Sequence, residues 1–232
     1  MTRRRFGGLR PFFPFYGSKW RYALSYPVPR FELLVEPFAG AAGYATQHHW
    51  AKVVLVERDP VIASVWRFLL TATPRQVLAL PDVAHDQDLR DLDLPPAERA
   101  LIGYWLNPAN AYPANRPSTW HKTHPHRVWG RRVRERLADQ IGAIRHWSLV
   151  EGEWYEGPEG PATRFVDPPY VRAGYHYRHG PEGIDYAQLA EACRSWPGQV
   201  IACEQLGAAW LPFREHARRR AMRGYTDEVV WP

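Results

Sequence analysis

Two consecutive prolines after a short apolar run restrict the fold of this chain more than any other feature. Residues 164–166 suit a buried strand, and the next four residues are Asp167, Pro168, Pro169 and Tyr170. Because proline fixes φ and has no backbone N–H to donate, the strand must end there in an ordered turn outside the sheet. The sequence therefore predicts an acidic and aromatic turn directly after a core strand.

This turn carries the groups needed to bind an aromatic amine. Open α/β sheets bind their ligands at the carboxyl ends of the strands. Asp167 and the prolyl carbonyls can accept the two N–H groups of an exocyclic amine, while Tyr170 supplies a ring for stacking. A nucleobase amine is the expected target, and an ordinary turn without function is the alternative for these four residues alone.

The first part of the chain has the pattern of a nucleotide-cofactor site. An apolar, β-prone run at 31–36 is followed by a small-residue turn at 37–43 and a helical stretch that ends at His48. A second strand at 53–56 ends in Glu57. Glycines let the backbone approach a ligand at a helix N-terminus, and an acid about 20 residues later can accept hydrogen bonds from ribose hydroxyls. A solvent-facing strand end is the alternative for Glu57.

Four motifs occur in the order found in the alpha group of Dam-type DNA adenine-N6 methyltransferases, and the chain resembles short phage-type members of that group. The motifs are Phe15-Tyr16-Gly17-Ser18-Lys19, Val35-Glu36-Pro37-Phe38-Ala39-Gly40-Ala41-Ala42-Gly43, Glu57, and Asp167-Pro168-Pro169-Tyr170. The resemblance covers the two ends of the chain. One departure is clear, because the family's Phe-x-Gly-x-Gly has Ala42 in its last position and a glycine, Gly43, one place later.

The resemblance implies an α/β fold: a Rossmann-like sheet of a SAM-dependent methyltransferase, with antiparallel C-terminal strands and a small, mostly helical insertion. It implies S-adenosyl-L-methionine as the cofactor and the N6 amine of a flipped-out DNA adenine as the target. Asp167, Pro168, Pro169 and Tyr170 are then the catalytic residues. The expected cofactor-binding residues are Tyr16, Gly17, Lys19, Glu36, Pro37, Phe38, Gly40, Glu57, Arg58, Glu153, Trp154, Phe165 and Asp167, with Lys19 near the methionine end.

The middle of the chain is rich in arginine, amide and aromatic side chains, a mixture that serves phosphate contacts, base-edge hydrogen bonds and stacking. We expect a cofactor-binding half at 1–80, a helical insertion at 81–145 with a target-recognition segment at about 107–136, and a catalytic half at 146–232. Histidines 121, 124 and 126 have no cysteine or carboxylate ligand nearby, so no metal site is predicted. The predicted nucleic-acid-binding residues are Asn107, Arg116, Ser118, Trp120, His121, Lys122, Arg127, Trp129, Arg131, Arg132, Tyr175 and Arg178.

Periodicity and turn residues predict the remaining elements. They are an acidic surface connection at 73–90, a helix from 95 to 106, one long basic helix over 127–144, a strand at 148–150, a lid or DNA-contacting loop at 171–183, a helix capped by Asp185, a strand at 199–203, and closing antiparallel strands from 210–213 and 218–231. The resemblance implies that Glu228 stands in the terminal Asp-Glu-Val position of the family.

Composition limits the class of protein. The formal net charge is +6, carried almost wholly by arginine, which favours an anionic partner, and DNA is the expected one. Two cysteines without metal spacing fit a reducing cytoplasm. No apolar run approaches the roughly 20 residues of a membrane span, so no membrane partner is expected. A monomer is favoured. Cytosine-N4 or RNA adenine methylation on the same fold remains open, as does a non-catalytic DNA-binding module.

Overall fold

The computed structural model describes residues 8–108, 110–119, 123, 128–220 and 225–232, with only the backbone of Arg219 and Arg220. Within this part of the chain the strands are β1 (Leu33–Glu36), β2 (Lys52–Glu57), β3 (Ser148–Glu151), β4 (Ala162–Val166), β5 (Gly198–Gln205), β6 (Arg214–Arg220) and β7 (Tyr225–Trp231). They form a seven-stranded sheet in the order β3-β2-β1-β4-β5-β7-β6. Strands β1 to β5 are parallel, whereas β7 lies antiparallel between β5 and β6.

The helices are α1 (Gly43–Gln47), α2 (Pro60–Thr71), α3 (Pro74–Ala79), α4 (Pro96–Leu106), α5 (Arg131–Gln140) and α6 (Tyr186–Ser195). Local sequence explains where two of them begin. Asp59 caps α2 by accepting the Val61 N–H at 2.8 Å, and Pro60 follows in the first turn, where its missing donor costs nothing. Asp185 caps α6 by accepting the N–H groups of Ala187 and Gln188.

Both faces of the sheet are covered. Leu34, Leu55 and Phe165 belong to the larger cluster with Trp66 of α2. The opposite face carries Val166, Val200 and Ala202, which pack with Leu189 of α6, and a smaller cluster formed by Val35, Val54, Val56 and Ala162. Every residue of β4 is buried, as expected for a central parallel strand. Ligands are therefore expected at the ends of the strands.

The segment before β1 is fixed by aromatic packing. Phe12 and Phe13 are fully buried, and the Phe13 ring stacks on Tyr104 of α4 at 5.1 Å. The Trp105 indole N–H donates to the Phe12 carbonyl at 3.0 Å. This anchoring carries Lys19 to the carboxyl end of the sheet.

The predicted fold class is confirmed: a mostly parallel α/β sheet with antiparallel C-terminal strands. Helices α4 and α5 fall within the predicted insertion, but the division of the chain into three parts stays a prediction. No helix in the described ranges is long and apolar enough to cross a bilayer.

Three predicted elements were wrong in detail. The connection at 73–90 contains α3, because Thr73 and Gln76 form a reciprocal capping box that starts a helix. The helix predicted over 127–144 begins only at Arg131, after Gly130, and continues as a 3₁₀ turn beyond Gln140. Residues 210–213 are irregular, so β6 starts at Arg214.

Candidate active site at the carboxyl edge of the sheet

One pocket lies where the carboxyl ends of β1, β2 and β4 meet. Its volume is about 930 Å³, including space open to solvent. Every residue predicted to bind the cofactor lines it. They are Tyr16, Gly17, Lys19, Glu36, Pro37, Phe38, Gly40, Glu57, Arg58, Glu153, Trp154, Phe165 and Asp167. Parallel neighbouring strands bring these residues together although they are distant in sequence.

The backbone of the turn after β1 explains why this chain has alanine at position 42 and glycine at position 43. Gly40 and Ala42 both have left-handed backbones, with φ of +47° and +48°. Alanine tolerates this conformation at a cost of about 1–2 kcal/mol. Gly43 is needed for a different reason, since a Cβ there would lie 2.6 Å from the Trp20 backbone nitrogen. Its missing side chain lets the N-terminal segment lie against the start of α1.

Glu57 ends β2 and borders the turn. Its Oε2 accepts the Gly40 N–H at 2.8 Å and its Oε1 accepts the Asp59 N–H at 2.8 Å. Burial raises the pKa of Glu57 to about 7, although these backbone hydrogen bonds act in the opposite direction. Each carboxylate oxygen keeps a second lone pair. Glu57 can therefore fix the turn and still accept a hydroxyl from a ligand.

Glu36, at the end of β1, holds the first turn of α1. Its Oε1 accepts the Ala45 N–H at 2.5 Å, and burial raises its pKa to about 8. The pocket wall beside it includes the near-parallel rings of Phe38 and Trp154, whose centroids are 6.4 Å apart. These ring faces are suited to a flat heterocycle.

The acidic turn after β4 is connected to the N-terminal segment by an ion pair. Lys19 Nζ lies 2.7 Å from Asp167 Oδ1 and 2.8 Å from Oδ2. Burial lowers the pKa of Lys19, but its attraction to Asp167, and then to Glu228, outweighs this and leaves it raised. Burial raises the pKa of Asp167, and Lys19 opposes that shift.

Tyr170 packs beneath this ion pair. The Lys19 ammonium lies 4.8 Å from the centre of its ring, and the Tyr170 hydroxyl donates to Glu228 Oε1 at 3.3 Å. Glu228, on β7, also accepts the Tyr26 hydroxyl and lies 3.9 Å from Lys19 Nζ. Of the four predicted catalytic residues, Asp167 and Pro169 line the pocket. Pro168 is buried, and Tyr170 packs against Lys19 but is not among the lining residues.

The segment at 171–183 folds over the pocket. The Tyr177 hydroxyl donates to the Tyr16 carbonyl at 3.2 Å, and its ring stacks on Phe15 at 5.8 Å. Arg178 Nε lies 3.4 Å from Asp59 Oδ2. Across the pocket, Arg58 Nε pairs with Glu153 Oε1 at 3.2 Å. A lid or a DNA-contacting loop was predicted here, and the contacts place it against the cofactor-binding half.

The sequence analysis missed several residues of this wall. Tyr177, His179 and Ile184 line the pocket, and the buried His179 Nε2 has no protein hydrogen-bond partner in the described structure. Tyr177 and His179 fall within the lid or DNA-contacting loop predicted at 171–183, and Ile184 directly follows it, but none of them was predicted as a site residue. Glu228 was placed in a family motif, but nothing in its own strand indicated contact with Tyr170.

The predicted nucleic-acid-binding residues are scattered. Trp120, His121, Lys122 and Arg127 lie outside the described residues. Arg131 and Arg132 are exposed on α5, Asn107 follows α4, Tyr175 is exposed near the pocket mouth, and Arg178 lines the pocket.

Several of these residues already have contacts within the fold. Trp129 is buried and its indole donates to the Pro81 carbonyl at 2.8 Å, which argues against base stacking by this ring. Arg116 pairs with Asp88 of the acidic connection at 2.9 Å, and the Ser118 hydroxyl donates to the Leu106 carbonyl at 3.1 Å. Among the described residues there is no group of three or more metal-ligating side chains.

Comparisons with known proteins give a likeness of fold. No family model matches the chain, and no curated protein matches it. Among solved structures it is similar to the one described as "Putative methyltransferase yhhF" from Escherichia coli, with a TM-score of 0.35 and 10% identity, over 85% of this chain and 74% of that one. At this identity the likeness concerns the fold alone.

Proposed function

We propose that the protein is a site-specific DNA methyltransferase that transfers a methyl group to the N6 amine of adenine. The observation that carries the proposal is the shared pocket: Asp167 and Pro169 of the acidic turn border the same space as Gly40 and Glu57. An acceptor for an exocyclic amine therefore lies beside a site of the kind that binds a ribose-containing cofactor.

The pocket residues fit S-adenosyl-L-methionine. The rings of Phe38 and Trp154 suit the adenine, and Glu57 suits the ribose hydroxyls. When bound, the cofactor supplies an activated methyl group on its sulfonium.

The task of the protein is to position and desolvate the target amine. Asp167 accepts one amino hydrogen and a prolyl carbonyl of the turn accepts the other, which directs the nitrogen lone pair out of the base plane. The negative charge of Asp167 stabilises the positive charge that develops on the nitrogen. The Pro169 carbonyl already accepts the Tyr186 hydroxyl, so the Pro168 carbonyl is the better second acceptor.

The turn is rigid enough for this role. The Gly174 N–H donates to the Tyr170 carbonyl at 2.7 Å, and the Val171 N–H donates to Glu204 Oε2 at 3.2 Å. Gly174 lies so close to Pro169 that a Cβ there would be 2.8 Å from the proline side chain. Acceptors held in advance need not reorganise during the reaction.

The test is methyl transfer from labelled S-adenosyl-L-methionine to mixed-sequence duplex DNA, followed by digestion to nucleosides and mass spectrometry. N6-methyladenine is expected. Transfer to cytosine N4, or only to RNA in a parallel incubation, would replace the substrate in this proposal. Asp167→Asn should abolish transfer, whereas Glu191→Gln, which alters an exposed carboxylate on α6, should not. Absence of transfer to every nucleic acid would overturn the proposal.

A further inference from the structure

Strands β6 and β7 extend beyond the sheet on the side of the pocket. Gln205, the last residue of β5, pairs with Glu228. Past this point β6 and β7 stay paired through Arg218↔Asp227, Arg219↔Thr226 and Arg220↔Tyr225. The Leu206 N–H still donates to the Asp227 carbonyl at 2.9 Å, so the last two pairs, at about 3.4 Å per residue, extend about 7 Å beyond this neighbour. We call residues 218–220 and 225–227 the hairpin end.

The hairpin end is rich in arginine. Three arginines occupy consecutive positions on β6. The Arg218 side chain is 71% exposed, and its guanidinium lies 4.9 Å from the centre of the exposed Tyr225 ring. Asp227 is the one acid of this end, and its Oδ1 is 3.9 Å from Arg218 Nε, at the limit of an ion pair. By sequence, the hairpin end carries three positive charges and one negative charge.

The base of the hairpin is part of the candidate active site. Glu228 directly follows the hairpin end on β7, and its Oε1 accepts the Tyr170 hydroxyl. Thr226 is two residues earlier and therefore on the same face of β7 as Glu228. A duplex that delivers a base to Asp167 would pass beside this projection, because both lie at the same edge of the sheet.

We propose that the hairpin end binds the sugar–phosphate backbone of the DNA whose base enters the pocket. This inference rests on the proposed function. Arginine suits the role because its planar fork pairs with phosphate oxygens, and contacts of this kind position a duplex without reading its sequence. A basic edge strand can also serve only to prevent edge-to-edge aggregation, and the experiment separates the two roles.

The experiment compares two triple variants with the same change in charge. One carries Arg218→Gln, Arg219→Gln and Arg220→Gln. The control carries Arg30→Gln, Arg75→Gln and Arg194→Gln, three exposed arginines that do not line the pocket. Binding of a fluorescein-labelled mixed-sequence duplex is measured by anisotropy between about 50 and 200 mM salt, where phosphate contacts dominate the salt dependence, together with thermal unfolding and cofactor affinity.

For the hairpin variant we expect the slope of log K against log salt to become shallower by about 0.9 for each phosphate that is no longer neutralised, or about 2–3 in all. Cofactor affinity should not change. If this triple variant does not fold, Arg218→Gln alone should lower the slope by about 0.9. Equal slopes for the hairpin and control variants would overturn the inference. The binding measurement needs no methyl transfer, so an inactive wild-type protein would refute the proposed function without deciding this one.

Discussion

Lys19 and Asp167 form a two-point ion pair in the floor of the pocket, with Nζ at 2.7 Å and 2.8 Å from the two carboxylate oxygens. Their side chains are only 11% and 19% exposed. The pair joins the N-terminal segment to the turn after β4 and sets the charge of the proposed amine acceptor. Burial alone would raise the pKa of Asp167 and favour its protonated form, whereas the adjacent ammonium favours the carboxylate.

Asp167→Asn tests the acceptor and the ion pair together. We expect a loss of about 10²–10³-fold or more in kcat, because the neutral amide cannot stabilise charge on the amine. The variant should also lose stability, at most about 3–5 kcal/mol, because the Lys19 cation stays buried without its main partner. Glu228, at 3.9 Å from Lys19, reduces that loss. Urea unfolding and a labelled-methyl assay measure the two effects.

The matched control is the double variant Lys19→Met with Asp167→Asn. It removes both charges, so it should recover part of the stability while remaining inactive. Recovery of activity with stability would show that Asp167 acts only through folding and would refute its role as acceptor.

Lys19→Met alone should change the pH dependence of the reaction. In the proposed reaction methyl transfer requires ionised Asp167, so activity should be lost as the pH falls through the pKa of Asp167. Without the ammonium, burial and the nearby charge of Glu228 raise the pKa of Asp167 further. The acid limb of kcat/KM should therefore begin at a higher pH than in the wild type.

Lys52→Met is the control for this effect, since Lys52 is exposed at the start of β2. Its acid limb should coincide with that of the wild type. If kcat/KM of Lys19→Met were lower at every pH but its pH profile kept the wild-type shape, this would contradict a role for Lys19 in holding Asp167 ionised.

The grouping of the predicted cofactor-binding residues in one pocket could be expected from the sequence, because parallel strands place their carboxyl ends at one edge of the sheet. Glu36, Gly40 and Glu57 lie at or just after the ends of β1 and β2, and parallel neighbours bring such ends together. Asp167 follows the next strand in the sheet by the same rule. Apolar runs and the paired prolines were sufficient to identify those ends.

Contacts that depend on long-range packing could not be predicted. Glu228 reaches Tyr170 because β7 runs antiparallel beside β5, and Tyr177 covers Tyr16 because the segment after the prolines folds back. Trp129 was expected to contact DNA, but its ring is buried and its N–H is paired. The local sequence pattern, an aromatic residue between arginines, is the same whether the ring contacts DNA or is buried in the core.

Glu57 should make cofactor binding pH-dependent near neutrality. Burial places its pKa at about 7, and protonation replaces an acceptor position with an O–H donor, which weakens its acceptance of ribose hydroxyls. Affinity for S-adenosyl-L-methionine should therefore increase as the pH rises through about 7. Calorimetric titrations on either side of this pH measure the change.

Glu57→Gln should bind more weakly and lose most of the pH dependence, while Glu32→Gln, which alters an exposed residue before β1, should keep it. Equal pH dependence in both variants would assign the titration to another group.

Gly43→Ala should destabilise the protein and displace Lys19 with it. The added Cβ would lie 2.6 Å from the Trp20 nitrogen and 2.9 Å from the Lys19 nitrogen, and both are backbone atoms that cannot rotate away. Overpacking of this kind costs about 1–3 kcal/mol, and the shift of the N-terminal segment should weaken the ion pair with Asp167. The free energy of unfolding and kcat should therefore fall together.

Gly142→Ala is the control, because a Cβ there meets nothing within 4 Å, and it should leave both unchanged. If Gly43→Ala matched this control in stability and activity, close approach at Gly43 would not be what holds Lys19 in the pocket.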